Sequence, residues 1–361
     1  METKREIYIA HEYGDKTHFK ALYDCASEYG FHVNEQMILR KRKIFKKCVK
    51  SIIKKRDFSS ILIMIHELRI HFRFRYIKGQ IIVVGIAPYD QLLNKYLHVF
   101  ENNECYYFTS HDVWDGSDFP KGTINNKETF EKILHDVFRG AFCVSQVSAN
   151  QVSRIIRKVS VVNHAIDYDK YSKAYLRGET KRFIFLGGYT ERKNIKLILQ
   201  WLRDNPRDDV SIDFAGDGPQ KKEIENAACL DNRIRQLGFY SKAELQKNLC
   251  LYDYLILPSK KEPFGIVLLE ALSAGTPCIV SNAVGPSEII IDGVNGYVFN
   301  LDDEYKSFSC VMNNALEMTQ QSYIEMREKA CEFGKQYSSN EIVKKWIGPL
   351  LTNTNIDKYD L

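Results

Sequence analysis

The sequence predicts an α/β protein built from two similar domains, and three observations predict it. Its 361 residues exceed one ordinary core and fit two domains of roughly 150 residues each. Short apolar runs of strand length, such as Ile7-Tyr8-Ile9-Ala10 and Tyr254-Leu255-Ile256-Leu257, recur between segments of helical period. Turn residues stand where a strand would hand over to a helix, as in Gly187-Gly188, Gly216-Asp217-Gly218-Pro219 and Pro258-Ser259.

Composition bounds the class. Apolar residues make up 44% and charged residues 27%, the balance of a soluble globular chain. No uncharged apolar run approaches the roughly 18 residues that a membrane span needs. The first residues run straight into a strand without a signal-peptide core, so a cytosolic location is expected. Nine cysteines, an odd number with no C-x-x-C pair, suit neither a disulfide framework nor a zinc site and read as free thiols. The net charge of +5 is modest for this length and gives no argument for nucleic acid.

The first half opens as a βαβ unit. A strand is followed by the loop His11-Glu12-Tyr13-Gly14-Asp15-Lys16, a helix over 17–29 closed by Gly30, and a strand over 31–39. Residues 40–56 then carry Arg40, Lys41, Arg42, Lys43, Lys46, Lys47, Lys50, Lys54, Lys55 and Arg56, with Ile44, Phe45, Cys48, Val49, Ile52 and Ile53 at helical spacing. This is a basic amphipathic helix. Such a helix is either a solvated face over a core stripe or a seat on an anionic membrane surface, and the second reading is preferred. A further helix from about 59 runs into 71–76, a stretch whose alternation also fits a strand.

Strands over 81–86 and 104–109 flank a helical 88–100, and the second delivers Ser110-His111-Asp112 into its following loop. Ligands of open α/β sheets bind outside that edge, which makes His111 and Asp112 candidates. A helix over 127–138, a strand over 141–144 and a helix from Ser145 to Arg157 follow. The polar stretch 167–181 reads as a linker.

The second half repeats the rhythm with strands over 182–186, 210–214, 234–237 and 254–257, and a helix over 194–202. It ends in helices over 303–318, 322–337 and 340–351. Its most informative stretch is 258–272. Gly265 opens a helix without a side chain, so an anion can approach the backbone N–H groups of Phe264, Gly265 and Ile266, where the helix dipole favours it. Between 266 and 272 every residue is apolar or small except Glu270, and an unpaired carboxylate in such a helix is costly. Glu270 therefore needs hydroxyls or a cation. By itself it could be a core acid with a structural partner, and Glu262 a solvated loop charge.

Glu262 and Glu270, seven residues between them, resemble the E-x7-E signature of the retaining glycosyltransferases of the GT-B fold, family four of the sequence classification. The resemblance implies two Rossmann-like domains facing across a cleft, with Glu262 on the donor sugar and Glu270 on the nucleotide ribose. The run 187–194 resembles the family's "G-R-x-x-x-x-K-G" segment, whose Arg and Lys hold the donor diphosphate. Lys193 matches the Lys, but Gly188 stands where the Arg would, so either Arg192 or Lys260 must compensate.

The segment Leu237-Gly238-Phe239-Tyr240 resembles the base pocket, which leaves uracil and guanine both open. The run 159–167 resembles "v-i-p-N-G-v-D", with His164-Ala165 in place of Asn-Gly. The family's first loop is usually glycine-rich, whereas Gly14 is its only glycine here. By the resemblance, His111 lines the reacting face, the last helix crosses back to the first domain, and no metal or cofactor is needed. No D-x-D motif stands at a strand end.

The implied domains are 1–166 for the acceptor, 167–181 as linker, 182–338 for a UDP- or GDP-linked sugar, and 339–361 as the returning helix. The expected function is sugar transfer to a glycan or polyprenyl-diphosphate-linked acceptor in bacterial surface-polysaccharide assembly. Residues 40–56 would rest on the inner face of the plasma membrane. The alternatives are a soluble enzyme with a sugar or glucan acceptor, and a donor-binding relic without activity.

Overall fold

A computed structural model describes residues 5–11, 16–37, 49, 53, 74–87, 91–109, 127–175, 178–262, 264–283 and 285–351. It divides into two compact units, Met1–Asn163 with Val343–Leu361, and His164–Ile342. Gly14, His111, Asp112 and the basic helix expected at 40–56, apart from Val49 and Ile53, lie outside the described residues.

The first unit holds a parallel sheet of β1 (Arg5–His11), β2 (Phe31–Met37), β3 (Ile81–Gly85), β4 (Glu104–Thr109), β5 (Gly140–Cys143) and β6 (Val159–Val161), in the order β2-β1-β3-β4-β5-β6. Ile7 pairs with Val33 on one side and Ile81 on the other. The central strands are near-continuous apolar runs because both faces of a parallel sheet are covered.

The helix expected at 17–29 is a 3-10 turn (Lys16–Phe19), a helix (Lys20–Cys25) and a second 3-10 turn (Ala26–Tyr29). Gly30 closes it in the left-handed region at φ 78°. The helical 88–100 stretch is two short helices, Gln91–Lys95 and Leu97–Phe100, interrupted at the buried Tyr96. The helix capped by Ser145, whose side chain accepts from the Ser148 N–H at 3.2 Å, ends at Val152 rather than near 157.

The last helix, Ser339–Leu351, starts in the second unit, and its residues from Val343 count with the first. Trp346 is the anchor, with its ring 4.6 Å from Phe142, 5.6 Å from Phe108 and 5.8 Å from Phe19. Among the described residues no helix is long and apolar enough to cross a membrane.

The second unit holds β7 (Lys181–Leu186), β8 (Val210–Ala215), β9 (Ile234–Gly238), β10 (Tyr254–Leu257), β11 (Cys278–Ser281) and β12 (Gly296–Phe299), parallel in the order β12-β11-β10-β7-β8-β9. The chain builds outward from β7 to β9 and then restarts on β7's other side with β10. The strand order therefore reverses between β7 and β10, and ligands of such sheets bind at the carboxyl ends of the strands where this happens. Trp201, buried in the helix Ile195–Asp204, meets Phe308 of the helix Glu304–Glu317 edge-on at 6.5 Å in the core of this unit.

The expected linker at 167–181 is a correction. These residues belong to the second unit, which begins at His164. Ile166 N–H donates to the Tyr337 carbonyl at 2.8 Å, Tyr171 is buried, and Tyr175 donates to Asp253 at 2.5 Å. One buried and one partly buried aromatic side chain outweigh the polar composition that read as a free connection.

Candidate active site

Two loops meet at the switch point. From β7 the chain passes through Gly187 and Gly188 into a 3-10 turn (Glu191–Lys193), then Asn194 at φ 54°, then the helix Ile195–Asp204. From β10 it passes through residues 258–265 into the helix Ile266–Ser273. The loops are stitched by main-chain acceptors: Lys260 N–H donates to the Arg192 carbonyl at 2.8 Å, and Arg192 Nη1 to the Lys261 carbonyl at 2.7 Å.

Glu262 lies at the centre of this junction, only 7% exposed. Its Oε2 accepts from Lys193 Nζ and from Ser259 Oγ at 3.2 Å, and Arg192 Nη1 stands 3.5 Å away. A carboxylate this deep needs such partners, since an isolated buried charge is prohibitively costly. The loop acid that could have been solvated is an enclosed ion-pair centre.

Of the two cations that could stand in for the arginine missing at 188, Arg192 is the one beside Glu262. Lys260 Nζ lies 3.9 Å from Glu304 Oε1 instead. Glu304 Oε2 also accepts from Asn194 Nδ2 at 3.0 Å, so one acid at a helix start ties both loops. A side chain at 188 would meet nothing nearer than the Asp217 carbonyl at 3.8 Å.

The turns after β7, β8 and β9 stack edge to edge. Gly216 N–H donates to the Gly238 carbonyl at 2.7 Å, and a Cβ on Gly216 would lie 1.9 Å from the Gly187 carbonyl oxygen. Only glycine allows this approach. The candidate base segment follows from β9, with Gly238 at φ 70° and Phe239 85% exposed. Beneath Tyr240, the Tyr252 hydroxyl donates at 2.7 Å to the buried Asp213, which Arg235 grips through two contacts at 2.8 and 2.6 Å. Burial and the Asp213 carboxylate push the Tyr252 pKa up.

Gly265 is the N-cap of the helix Ile266–Ser273 at φ 82°. The first N–H groups of a helix have no partner within it and carry its positive dipole end. Phe264 is buried with its ring 5.0 Å from His164 and 6.3 Å from Tyr337. Further along, Glu270 Oε1 accepts from Tyr171 OH at 3.1 Å. Burial pushes the Glu270 carboxyl above the ordinary range, while the Tyr171 hydrogen bond and the charge of Lys242 pull it back. The Tyr171 hydroxyl meets the expected requirement for a hydroxyl or a cation, and Lys242, paired with Asp167, acts only through its charge.

Lys193, Glu262, Arg192 and the Gly265 helix start are thus brought to one edge of one sheet, with Glu270 on the helix that Gly265 opens. Reading the sequence missed Ser259, Tyr171 and Glu304 as members of this site. Ser259 lies three residues before Glu262 and could have been found; the other two reach it from 99 and 110 residues away. Among the described residues no group of three or more His, Cys, Asp or Glu side chains could hold a metal ion.

Two units, each built on a parallel six-stranded sheet flanked by helices, are the architecture of the GT-B fold. The fold is GT-B. Anabaena HepE in complex with UDP superposes with a TM-score of 0.69 at 16% identity, over 97% of this chain and all of that one. The lipopolysaccharide outer core galactosyltransferase WaaB superposes at 0.67 and 15%, with the same coverage.

Residues 167–337 match the family described as glycosyl transferases group 1. An uncharacterised glycosyltransferase of Methanocaldococcus jannaschii is 27% identical over 209 residues, which are 56% of each chain. The chain thus spans about half the length of that curated relative. The structural neighbours thus share the GT-B fold, and residues 167–337 are similar to glycosyl transferases group 1.

Proposed function

We propose that the protein is a retaining, metal-independent glycosyltransferase that moves a sugar from a UDP- or GDP-linked donor to a lipid-linked glycan acceptor in surface-polysaccharide assembly. The observation that carries this reading is the Lys193–Glu262 pair beside the helix start at Gly265. A cation beside a helix N-terminus supports a diphosphate-stabilising role, and the neighbouring acid supports a role on sugar hydroxyls.

In this reading the bond from the anomeric carbon to the diphosphate oxygen breaks first, and Lys193 and the helix dipole take up the negative charge that develops. The acceptor oxygen then bonds to the same face of the oxocarbenium-like sugar, and its proton passes to the departing phosphate. Glu262 positions sugar hydroxyls, Glu270 holds the ribose, and His111 lines the reacting face. Electrostatic stabilisation supplies the rate without a side-chain base. Arg192 takes the part of the arginine missing at 188, which favours activity over a donor-binding relic.

The crystal structures of HepE in complex with UDP and with UDP-glucose support a nucleotide-sugar donor. WaaB's named role in the lipopolysaccharide outer core supports a surface-glycan acceptor. The basic stretch 40–56 supports contact with an anionic membrane at its inner face.

A donor screen read by nucleotide release, with and without EDTA and with membrane-embedded or soluble acceptors, tests the reading. Turnover is expected to survive EDTA; loss of activity restored by magnesium or manganese would overturn the metal-independent step. Replacing Lys46, Lys47, Lys50, Lys54 and Lys55 by Gln should lower co-sedimentation with anionic vesicles and spare donor binding. Unchanged sedimentation would remove the membrane assignment and leave the soluble alternative.

A further inference from the structure

Glu270 is held from outside its own helix. Tyr171 approaches it from a short segment 99 residues earlier, after the 3-10 turn Tyr168–Lys170. Tyr171 is only 3% exposed and Glu270 9%. The Tyr171 hydroxyl donates to Oε1 at 3.1 Å, and among the described residues no other group donates to this carboxyl. Burial and the neighbouring Glu270 charge both push the Tyr171 pKa up, so the phenol keeps its proton and remains a donor.

An ionised carboxylate offers about four acceptor positions on two oxygens. One is occupied by Tyr171. The oxygen that turns toward Tyr171 fixes the plane of the group, and the remaining positions are left for other donors. The vicinal hydroxyls of a ribose are two donors with the spacing of two carboxylate oxygens. A group buried within an apolar helix has few rotamers available, so a single hydrogen bond suffices to select one.

We propose that Tyr171 is a positioning residue for nucleotide recognition: it fixes Oε1 of Glu270 so that the other acceptor positions face the ribose hydroxyls of a nucleoside diphosphate, and ribose selectivity depends on it. This rests on the reading of Glu270 as the ribose ligand. It adds a specificity determinant from the segment that by composition read as a linker.

The same contact sets a pH response. Among the described residues the charged group that acts on Glu270 is Lys242, itself paired with Asp167 at 2.9 Å; Arg327 is engaged at the end of the helix, where it donates at 3.3 Å to the Ala274 carbonyl. Among the described residues Tyr171 alone donates to the carboxyl directly. Its hydrogen bond favours the ionised form, so removing it moves the protonation of Glu270 to higher pH. Because a protonated carboxyl accepts less well, ribose-dependent affinity is lost as pH falls, and it is lost sooner without Tyr171.

Calorimetric titration of the full chain with UDP, GDP and the 2′,3′-dideoxy form of whichever binds tests this, for the parent, Tyr171→Phe, Glu270→Gln and the double variant. Tyr171→Phe is expected to lower affinity for the ribonucleotide about three- to tenfold and for the dideoxy form by less than about twofold, the size of one ordinary hydrogen bond, because Tyr171 acts on the ribose only through Glu270. The pH midpoint of the ribose-dependent affinity should rise relative to the parent, the phosphate titration being common to both. In the Glu270→Gln background the same substitution should add less than about twofold.

The proposal is overturned if Tyr171→Phe keeps the parent's preference for ribose, weakens both nucleotides alike, or leaves the pH midpoint in place. The reading of Glu270 fails separately, when Glu270→Gln retains the preference. Should Tyr171→Phe not fold, the double variant, which loses the charge together with its donor, is compared with Glu270→Gln, and an added effect above about twofold overturns the proposal.

Discussion

Lys193 and Glu262, 69 residues apart in sequence, share a hydrogen bond at the carboxyl edge of the second sheet, where β7 and β10 run side by side. Each loop supplies half of a charge pair, and main-chain bonds from Lys260 to Arg192 and from Arg192 to Lys261 hold the halves in register. A charge pair that needs two adjacent strands to exist depends on the fold, and it reports on the fold when it is cut.

Cutting it on one side should be worse than removing it whole. Lys193→Met leaves the enclosed Glu262 with Arg192 and Ser259 alone, and should cost roughly 2 to 3 kcal/mol of stability together with most nucleotide binding. Lys193→Met with Glu262→Gln should recover the stability but not the binding. Denaturant melts of the two variants check this, and equal melts would show that Arg192 already neutralises the acid.

Gly188→Arg should tighten nucleoside-diphosphate binding. Its added side chain meets no atom within 3.8 Å at Cβ, and the backbone there is not left-handed, so the substitution fits without strain. A second guanidinium beside the diphosphate is expected to strengthen UDP or GDP binding about tenfold, as for a new charge-assisted contact. Weaker binding would mean that Arg192 already fills that space.

Gly265→Ala should disturb the helix start. At φ 82° a side chain is strained, and its Cβ would lie 3.2 Å from both Leu257 and Leu268. A loss of about 1 to 2 kcal/mol is expected, with weaker diphosphate binding, whereas Gly188→Ala should change neither. A Gly265→Ala variant that binds UDP and GDP like the parent would argue against an anion site at this terminus.

Glu270→Gln should stabilise the protein while impairing it. Because burial raises the folded carboxyl above its ordinary range, the stability this group contributes is fully present below the usual carboxylate pKa and is lost as pH rises through the folded value. A neutral amide removes that loss. The melting temperature of the variant should exceed the parent's by about 2 to 4 °C at pH 8, with the difference closing toward pH 4. An equal difference at both pH values would place its origin elsewhere than in this ionisation.

Much of the fold could be read locally. The strand expected at 104–109 is β4, the one expected at 254–257 is β10, and Gly265 opens the helix expected after it. Each rests on periodicity and turn chemistry within about ten residues. Where neighbours compete, local reading loses resolution. The helix expected at 17–29 is divided by two 3-10 turns, and the linker is a packed segment because Tyr171 and Tyr175 find Glu270 and Asp253 on elements far along the chain.

By itself the sequence determined that the chain alternates strands and helices in two α/β halves, that a glycine-opened helix follows β10, and that two acids flank its start. These are properties of spacing along one chain, set by backbone geometry and by the need to bury apolar faces. Only the tertiary structure decided which cation meets which acid. Arg192 stands by Glu262 and Lys260 by Glu304 because long charged side chains take their direction from whichever loops the strand order makes adjacent, and β7 lies against β10 only once the sheet has closed around its switch point.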